Sequence, residues 1–253
     1  MNAGKINIDF VERGILRGNL GFSLQHVNSV SDHGNILYSE CLARLVEADG
    51  TIRTGGELLA SLEAAGSAPA FDRYMLELAF DWLSCNPLIV LGCNISASNL
   101  ADVNNWAALY DLLAQHRSQA SRLVLEITES LPMATLSLAS ELVQTARALG
   151  YRVAIDDFGK AHATAELLLA IPVDIVKIDA FFVGHPRDDS GRFLSHMVAL
   201  ASCAAPTVIV EGIETYAQLE TAKAAGAAYV QEFLLSEPSL APIFCGRADS
   251  LAI

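Results

Sequence analysis

Polar or ionisable side chains recur where the short apolar runs of this chain end. They are Glu40, Asn94, Glu126, Asp156, Asp157, Lys177, Glu211 and Gln231. Carboxylate and amide oxygens without histidine or cysteine favour Mg²⁺ or Mn²⁺ over Zn²⁺. Carboxylates gathered in one place also repel one another, and divalent cations relieve that repulsion. Two such cations, about 3.5–4 Å apart, are suited to in-line hydrolysis of a phosphoester.

Each of these residues alone also has an ordinary structural explanation. A single glutamate at a strand end is usually solvated, and Asn94 is equally suited to cap the next helix. The run from Asp156 to Gly159 is compatible with a simple turn, since Asp and Gly favour turns. Their recurrence at successive run ends is what favours one shared site.

The elements that must position these residues alternate along the chain. Apolar runs predict strands at 22–27, 35–42, 88–95, 123–127, 152–155, 174–178, 207–210 and 228–233. Helical patterns lie at 71–84, 106–115, 134–149, 163–170, 192–203 and 216–224. Gly150 is placed to end the third of these helices.

This alternation predicts an α/β fold with a parallel sheet covered by helices. Eight strands favour a closed, modified (β/α)₈ TIM-type barrel formed by one domain over residues 1–253. An open doubly wound sheet is the alternative, although the glycine fingerprint GxGxxG is absent. The carboxyl ends of barrel strands open on one face, so the polar residues are expected to share one mouth.

Charge and cysteine content exclude several classes of protein. The formal net charge of −13 argues against a groove for DNA or RNA, which needs clustered lysine and arginine. No apolar stretch is long enough to predict a membrane segment. Five cysteines without a CxxC pair indicate reduced thiols and a cytoplasmic location.

A string of short motifs resembles the EAL-domain cyclic di-GMP phosphodiesterases over residues 21–238. The motifs are Gln25-His26-Val27, Glu40-Cys41-Leu42-Ala43-Arg44, Asn94-Ile95-Ser96, Leu125-Glu126-Ile127-Thr128-Glu129, Ile155-Asp156-Asp157-Phe158-Gly159, Val176-Lys177-Ile178-Asp179, Val210-Glu211-Gly212-Ile213-Glu214-Thr215 and Gln231. Their order and spacing follow the family. The resemblance implies hydrolysis of cyclic di-GMP to linear pGpG, which lowers the level of this bacterial second messenger.

The resemblance also assigns a role to each residue. Metal ligands would be Glu40, Asn94, Glu126 and Asp156 for the first cation, and Asp156, Asp157 and Glu211 for the second. Glu211 would be the general base, Lys177 would hold a nucleophilic water or a phosphate oxygen, and Glu40 completes the catalytic set. Substrate contacts would come from Arg44, Gln25 and Gln231, while Glu129, Glu214 and Gly159 would support the site.

The loop after Gly159 departs from the family. The family continues Thr-Gly-Tyr-Ser-Ser, whereas this chain reads Lys160-Ala161-His162-Ala163-Thr164. The loop and the helix after Asp157 are also where the resemblance implies a homodimer contact. One alternative function is therefore a module that binds cyclic di-GMP or a protein without turnover. A metal-dependent barrel enzyme that abstracts a proton beside a carboxylate is a third.

Overall fold

The computed structural model describes residues 19–128, 131, 133–160, 165–183, 191–232 and 243–244. The strands are β1 Leu20–Ser29, β2 Ile36–Val46, β3 Ile52–Thr54, β4 Leu91–Ile95, β5 Leu123–Thr128, β6 Arg152–Phe158, β7 Ile175–Ile178, β8 Thr207–Ile213 and β9 Tyr229–Glu232. The α-helices are α1 Gly55–Ala64, α2 Ala68–Cys85, α3 Ala97–Ala101, α4 Val103–Gln115, α5 Leu136–Leu149, α6 Ala165–Ala170, α7 Arg192–Ser202 and α8 Tyr216–Ala224. Short 3₁₀ turns cover Arg117–Arg122, Met133–Thr135 and Ala180–Phe182.

The predicted barrel is confirmed, with one strand reversed. The closed order is β1, β2, β4, β5, β6, β7, β8 and β9, and β3 pairs with the outer part of β2. β1 runs antiparallel to both of its neighbours, β2 and β9, so the expectation of parallel strands is wrong there. Only a short turn joins β1 to β2, and a parallel pair would need a crossover of a dozen residues or more.

Several element boundaries differ from the sequence prediction. β2 continues past Glu40 to Val46, so Glu40 lies within the strand instead of ending it. The outer part of β2 stays ordered because it pairs with β1 on one side and β3 on the other. β6 extends to Phe158 and therefore includes both aspartates. The sequence prediction missed β3, α1 and α3, which are short or begin in a glycine pair.

The outer helices follow the predicted apolar periodicity. α2 buries Leu76, Ala79, Phe80 and Leu83 against the sheet, which is the i, i+3, i+4, i+7 pattern of a core-facing helix. α5 ends at Gly150, whose φ of 103° gives the left-handed cap predicted from the sequence. No helix within the described ranges is both long enough and apolar enough to cross a lipid bilayer.

An apolar floor closes the inside of the barrel. It consists of Val27, Tyr38, Val124, Ala154, Ile175 and Ile209. Side chains on a strand alternate between its two faces, so a residue two positions away also points inward. On β2, β5, β6, β7 and β8 that next residue is Glu40, Glu126, Asp156, Lys177 and Glu211. On the reversed β1 the step runs backward, from Val27 to Gln25. A polar layer therefore lies directly on the apolar floor.

Gly212 forms a β-bulge beside this polar layer. The pairing of β8 with β9 shifts between Glu211 and Ile213, which leaves Gly212 as the extra residue. Its φ is 68°, and an added Cβ would overlap the side chain of Ala180. Both the backbone angle and the close approach therefore require glycine next to Glu211.

Replacing Gly212 by alanine is expected to destabilise the fold by more than the cost of a positive φ alone. Gly66 has the same φ of 68° with nothing near its added Cβ, so Gly66→Ala is a matched control. Urea unfolding should give a cost of about 1–2 kcal/mol for the control. Gly212→Ala should cost about 1–3 kcal/mol more through overpacking against Ala180. Equal costs for the two variants would contradict the proposed contact.

Candidate active site

The Lys177 ammonium lies at the centre of the polar layer. Its Nζ is 2.8 Å from Glu126 Oε2, 2.8 Å from Asp156 Oδ1, 2.9 Å from Glu211 Oε1 and 3.3 Å from Glu40 Oε2. The lysine side chain is 1% exposed and that of Glu126 is 0% exposed. Four strands thus bring four carboxyl groups around one buried ammonium, which is more acidic groups than one cation can pair.

Two amide side chains hydrogen-bond Glu40, and a third amide bonds one of them. Asn94 Nδ2 donates to Glu40 Oε1 at 2.6 Å, and Gln231 Nε2 donates to Glu40 Oε2 at 2.5 Å. Gln231 Nε2 also donates to Gln25 Oε1 at 3.1 Å, across the pairing of β1 with β9. These bonds orient the Glu40 carboxylate and connect the first two strands of the barrel to its last.

The shared charges shift the pKa values of the cluster in different directions. Burial raises the pKa of Glu126 to about 8 and raises that of Glu211 well above its usual value. Burial acts the same way on Glu40, but Lys177 and the hydrogen bonds from Gln231 and Asn94 bring its pKa below the usual value. Burial opposes the charge of Lys177, yet Asp156 and its other carboxylate neighbours raise its pKa well above normal. The ammonium therefore stays charged.

The donor set fits a divalent cation. Glu40, Glu126 and Asp156 each offer an oxygen, and these three oxygens lie within 4.8 Å of one another. Glu126 Oε1 is buried and has no hydrogen-bond partner among the described residues. An unpaired buried carboxylate oxygen is costly, and a hard cation would satisfy it. The donors are therefore suited to a hard divalent cation, and which cation it is stays a prediction.

A bulge in β6 brings Asp157 to the same side as Asp156. The pairing with β7 shifts between Ile155 and Phe158, so one extra residue is inserted where the two aspartates lie. Asp157 has a φ of 55°, a left-handed angle that aspartate tolerates better than most residues. Consecutive residues of a regular strand face opposite sides. With the bulge, both aspartates line one cavity.

This cavity opens from the carboxylate cluster toward α1 and α2 and has a volume of about 590 Å³. Glu40, Asn94, Asp156 and Asp157 line its polar end, and Phe71 and Met75 of α2 line its apolar end. Arg44 also lines it and is 5% exposed. Its Nη1 donates to the Ala43 carbonyl at 2.9 Å, and its buried Nε has no partner in the described part of the chain. The cavity size is typical of small-molecule sites.

Of the three supporting residues predicted from the sequence, the structure describes Gly159 and Glu214, and only Gly159 lies beside the bulge. Gly159 has a φ of 97°, and an added Cβ would overlap the ring of Phe182, so glycine is required after the bulge. Glu214 is exposed, and no hydrogen bond or ion pair within the described ranges joins its carboxylate to the cluster. Glu129 and the altered loop at 161–164 lie outside the described residues.

Sequence reasoning missed Tyr38 and Gly92, which form the floor under Glu126. An added Cβ on Gly92 would overlap the Glu126 carboxylate and would lie 2.6 Å from the Tyr38 ring. Burial and the nearby Glu126 raise the pKa of Tyr38 well above its usual value. Tyr38 precedes Glu40 by two positions on β2, so strand alternation was the signal that could have found it.

Asp72 is a second missed residue, and it braces the segment after Asn94. Its Oδ2 accepts hydrogen bonds from the Ser96 backbone and from Asn99 Nδ2, both at 2.7 Å. Burial raises its pKa to about 6. The signal in the sequence was a carboxylate on the apolar face of α2, one turn before Met75 and Leu76.

Comparison with known proteins identifies the family and the fold of the chain. A family model described as "EAL domain" matches residues 10–238 of the chain. The chain belongs to the EAL domain family. The EAL domain of FimX from Pseudomonas aeruginosa, solved bound to c-di-GMP, is 26% identical and superposes with a TM-score of 0.81, covering 94% of this chain and 98% of that one. An EAL domain protein from Listeria monocytogenes has the same fold, at 24% identity, a TM-score of 0.80 and 94% coverage of both chains.

Curated relatives of this EAL chain are longer proteins. A protein of Escherichia coli strain K12 named "Probable cyclic di-GMP phosphodiesterase PdeA" is 29% identical over 210 residues, covering 79% of this chain and 28% of that protein. "Bifunctional diguanylate cyclase/cyclic di-GMP phosphodiesterase MucR" of Pseudomonas aeruginosa is 28% identical over 217 residues, covering 83% and 32%. The chain thus spans about a third or less of the length of these relatives.

Replacing Lys177 by methionine should strongly destabilise the metal-free EAL chain. Methionine keeps the length of the side chain but leaves the four surrounding carboxylates, of which Glu40 and Glu126 are buried, without their cation. Removing one partner of a buried ion pair costs about 3–5 kcal/mol, and urea unfolding in a chelator should show a loss of this size. Lys223→Met removes a half-exposed lysine and should change little. A loss below about 1 kcal/mol for Lys177→Met would contradict the central role of the ammonium.

Asp72→Asn should change how stability depends on pH. The pKa of Asp72 is raised in the folded state, so its contribution to stability is present below about pH 4 and is lost as the pH rises through about 6. Asparagine cannot titrate and keeps an oxygen for Ser96 and Asn99. Relative to wild type, the variant should gain about 2–3 kcal/mol between pH 4 and pH 7, measured by urea unfolding in a chelator. A difference that does not vary with pH would refute the assignment.

Proposed function

We propose that this EAL chain hydrolyses cyclic di-GMP to linear pGpG with two divalent cations, Mg²⁺ or Mn²⁺. The observation that carries the proposal is the convergence of Glu40, Glu126, Asp156 and Glu211, from four strands, on the Lys177 ammonium. Two of these carboxylates, Glu40 and Asp156, also line the cavity. Membership of the EAL domain family and the relatives named as cyclic di-GMP phosphodiesterases support the choice of substrate. We also retain the prediction of one domain over residues 1–253.

The proposed ligands divide between the two cations. Glu40, Asn94, Glu126 and Asp156 would hold the first, and Asp156, Asp157 and Glu211 would hold the second. When bound, the cations would activate a water molecule and offset the charge that develops on the phosphoryl oxygens.

The chain itself would bind the substrate and manage the proton. The Arg44 guanidinium, which lines the cavity, would bind a phosphate oxygen. Gln25, which also lines the cavity, and Gln231, which bonds Gln25, would help to orient the dinucleotide. Lys177 would hold the attacking water or a phosphate oxygen, with Glu40 positioned beside it. Glu211 would accept the proton, and burial raises its pKa in the direction that suits a general base.

The decisive assay mixes purified protein, cyclic di-GMP and either Mn²⁺ or Mg²⁺, and separates pGpG by chromatography. Glu126→Gln keeps the shape of the side chain but removes a ligand charge. It should lower the rate at least about 100-fold, since even residues that only support ligands contribute 10–100-fold. Glu220→Gln, on the exposed face of α8, is the matched control and should retain the wild-type rate. Absence of pGpG with either cation would reject hydrolysis.

A second candidate function is binding of cyclic di-GMP without turnover. The observation that favours it is the contact between Lys160 and Asp157, because Lys160 belongs to the loop that departs from the family. Calorimetry separates the two functions. Binding of cyclic di-GMP that survives Glu40→Ala, together with no pGpG from wild type, would support the binding module. Turnover that Glu40→Ala abolishes would exclude it.

A further inference from the structure

The turn after β6 folds Lys160 back onto Asp157. The Lys160 backbone N–H donates to the Asp157 carbonyl at 3.1 Å and closes a four-residue turn. Gly159 in this turn has a φ of 97° and packs against the ring of Phe182. The turn therefore fixes where the Lys160 side chain begins.

The Lys160 ammonium lies between two carboxylates. Its Nζ is 3.3 Å from Asp157 Oδ2 and 3.6 Å from Asp179 Oδ2. Asp179 is held in place because its Oδ1 accepts the Phe181 backbone N–H at 2.7 Å. One of the carboxylates proposed for the second cation thus already has a positive partner from the chain itself.

The two proposed cation positions differ in the ammonium groups that contact their ligands. Glu40, Glu126 and Asp156 of the first position all contact Lys177. The second position shares Asp156 and Glu211 with that cluster, and its further ligand Asp157 contacts a second ammonium, that of Lys160. The side chains of Lys160 and Asp157 are 57% and 39% exposed, so water also screens this second position more strongly.

We propose that Lys160 is a built-in counter-cation of Asp157 that weakens binding of the second divalent cation. This inference rests on the proposed function for the existence of a cation pair. The first cation binds to the buried carboxylates, and the second binds only when the Lys160 ammonium leaves Asp157. Uptake of the two cations is therefore sequential, and the concentration needed for the second controls when the site is complete.

The test is a calorimetric titration of the metal-free full chain with Mn²⁺ alone, without nucleotide. Wild type should show one tight site and one weak site. In Lys160→Gln the second site should tighten roughly tenfold, the size expected when one positive charge is removed a few ångströms from a divalent cation in a water-like medium. The first site should tighten less than the second, since its cation lies farther from Lys160 and the Coulomb energy falls with distance.

Two further variants make the result specific. Lys160→Arg keeps the charge and should keep the weak second site. Lys223→Gln removes the same charge from α8, beside Glu220, and should titrate as wild type does. Electron paramagnetic resonance gives a second readout, because two Mn²⁺ ions in adjacent sites couple their spins.

The outcomes distinguish this inference from the proposed function. Identical two-site titrations for wild type and Lys160→Gln would overturn the role of Lys160 and leave the cation pair intact. No Mn²⁺ uptake by either protein would overturn both proposals. A second site that weakens in Lys160→Gln would show that the lysine assists the cation, which is the opposite of the role proposed.

Discussion

A buried excess of negative charge is the constraint on which the rest of the site depends. Four carboxylates surround the Lys177 ammonium inside the barrel, and water reaches Lys177 and Glu126 hardly at all. In such surroundings a carboxylate must be protonated, paired or bound to a cation. One ammonium pairs with only part of the charge, as the raised pKa values of Glu126 and Glu211 indicate. The arrangement is costly for stability alone and is well suited to holding cations.

Departures from regular strand geometry position the remaining carboxylate. The bulge in β6 places Asp157 on the same cavity as Asp156, and the bulge at Gly212 lies directly after Glu211. Bulges concentrate at barrel rims and beside functional sites because they redirect a side chain without ending the strand. The same turn that follows the β6 bulge brings Lys160 to Asp157. The bulge and the turn together therefore place Asp157 beside both Asp156 and Lys160.

The reversed first strand makes one side of the barrel different from the rest. β1 runs antiparallel to β2 and β9, and it contributes Gln25 from its interior, whereas the parallel strands contribute residues near their carboxyl ends. Gln231 connects this side to Glu40 by bonding both Gln25 and the carboxylate. The amides of Gln25 and Gln231 therefore lie beside the carboxylate cluster and are joined to it through Glu40.

The sequence by itself determined the barrel and the order of its inward-facing polar residues, because a strand repeats every two residues and its pattern is local. Glu126, Asp156, Lys177 and Glu211 could be named in this way. Tertiary structure decided the rest: barrel closure brings Gln231 to Glu40, 191 positions away, and Lys177 to the same carboxylate, 137 positions away. It also decided the direction of β1, the bulge at Asp157 and the bracing by Asp72. These depend on pairing between distant strands and on packing of a helix against a loop, and no local pattern encodes either.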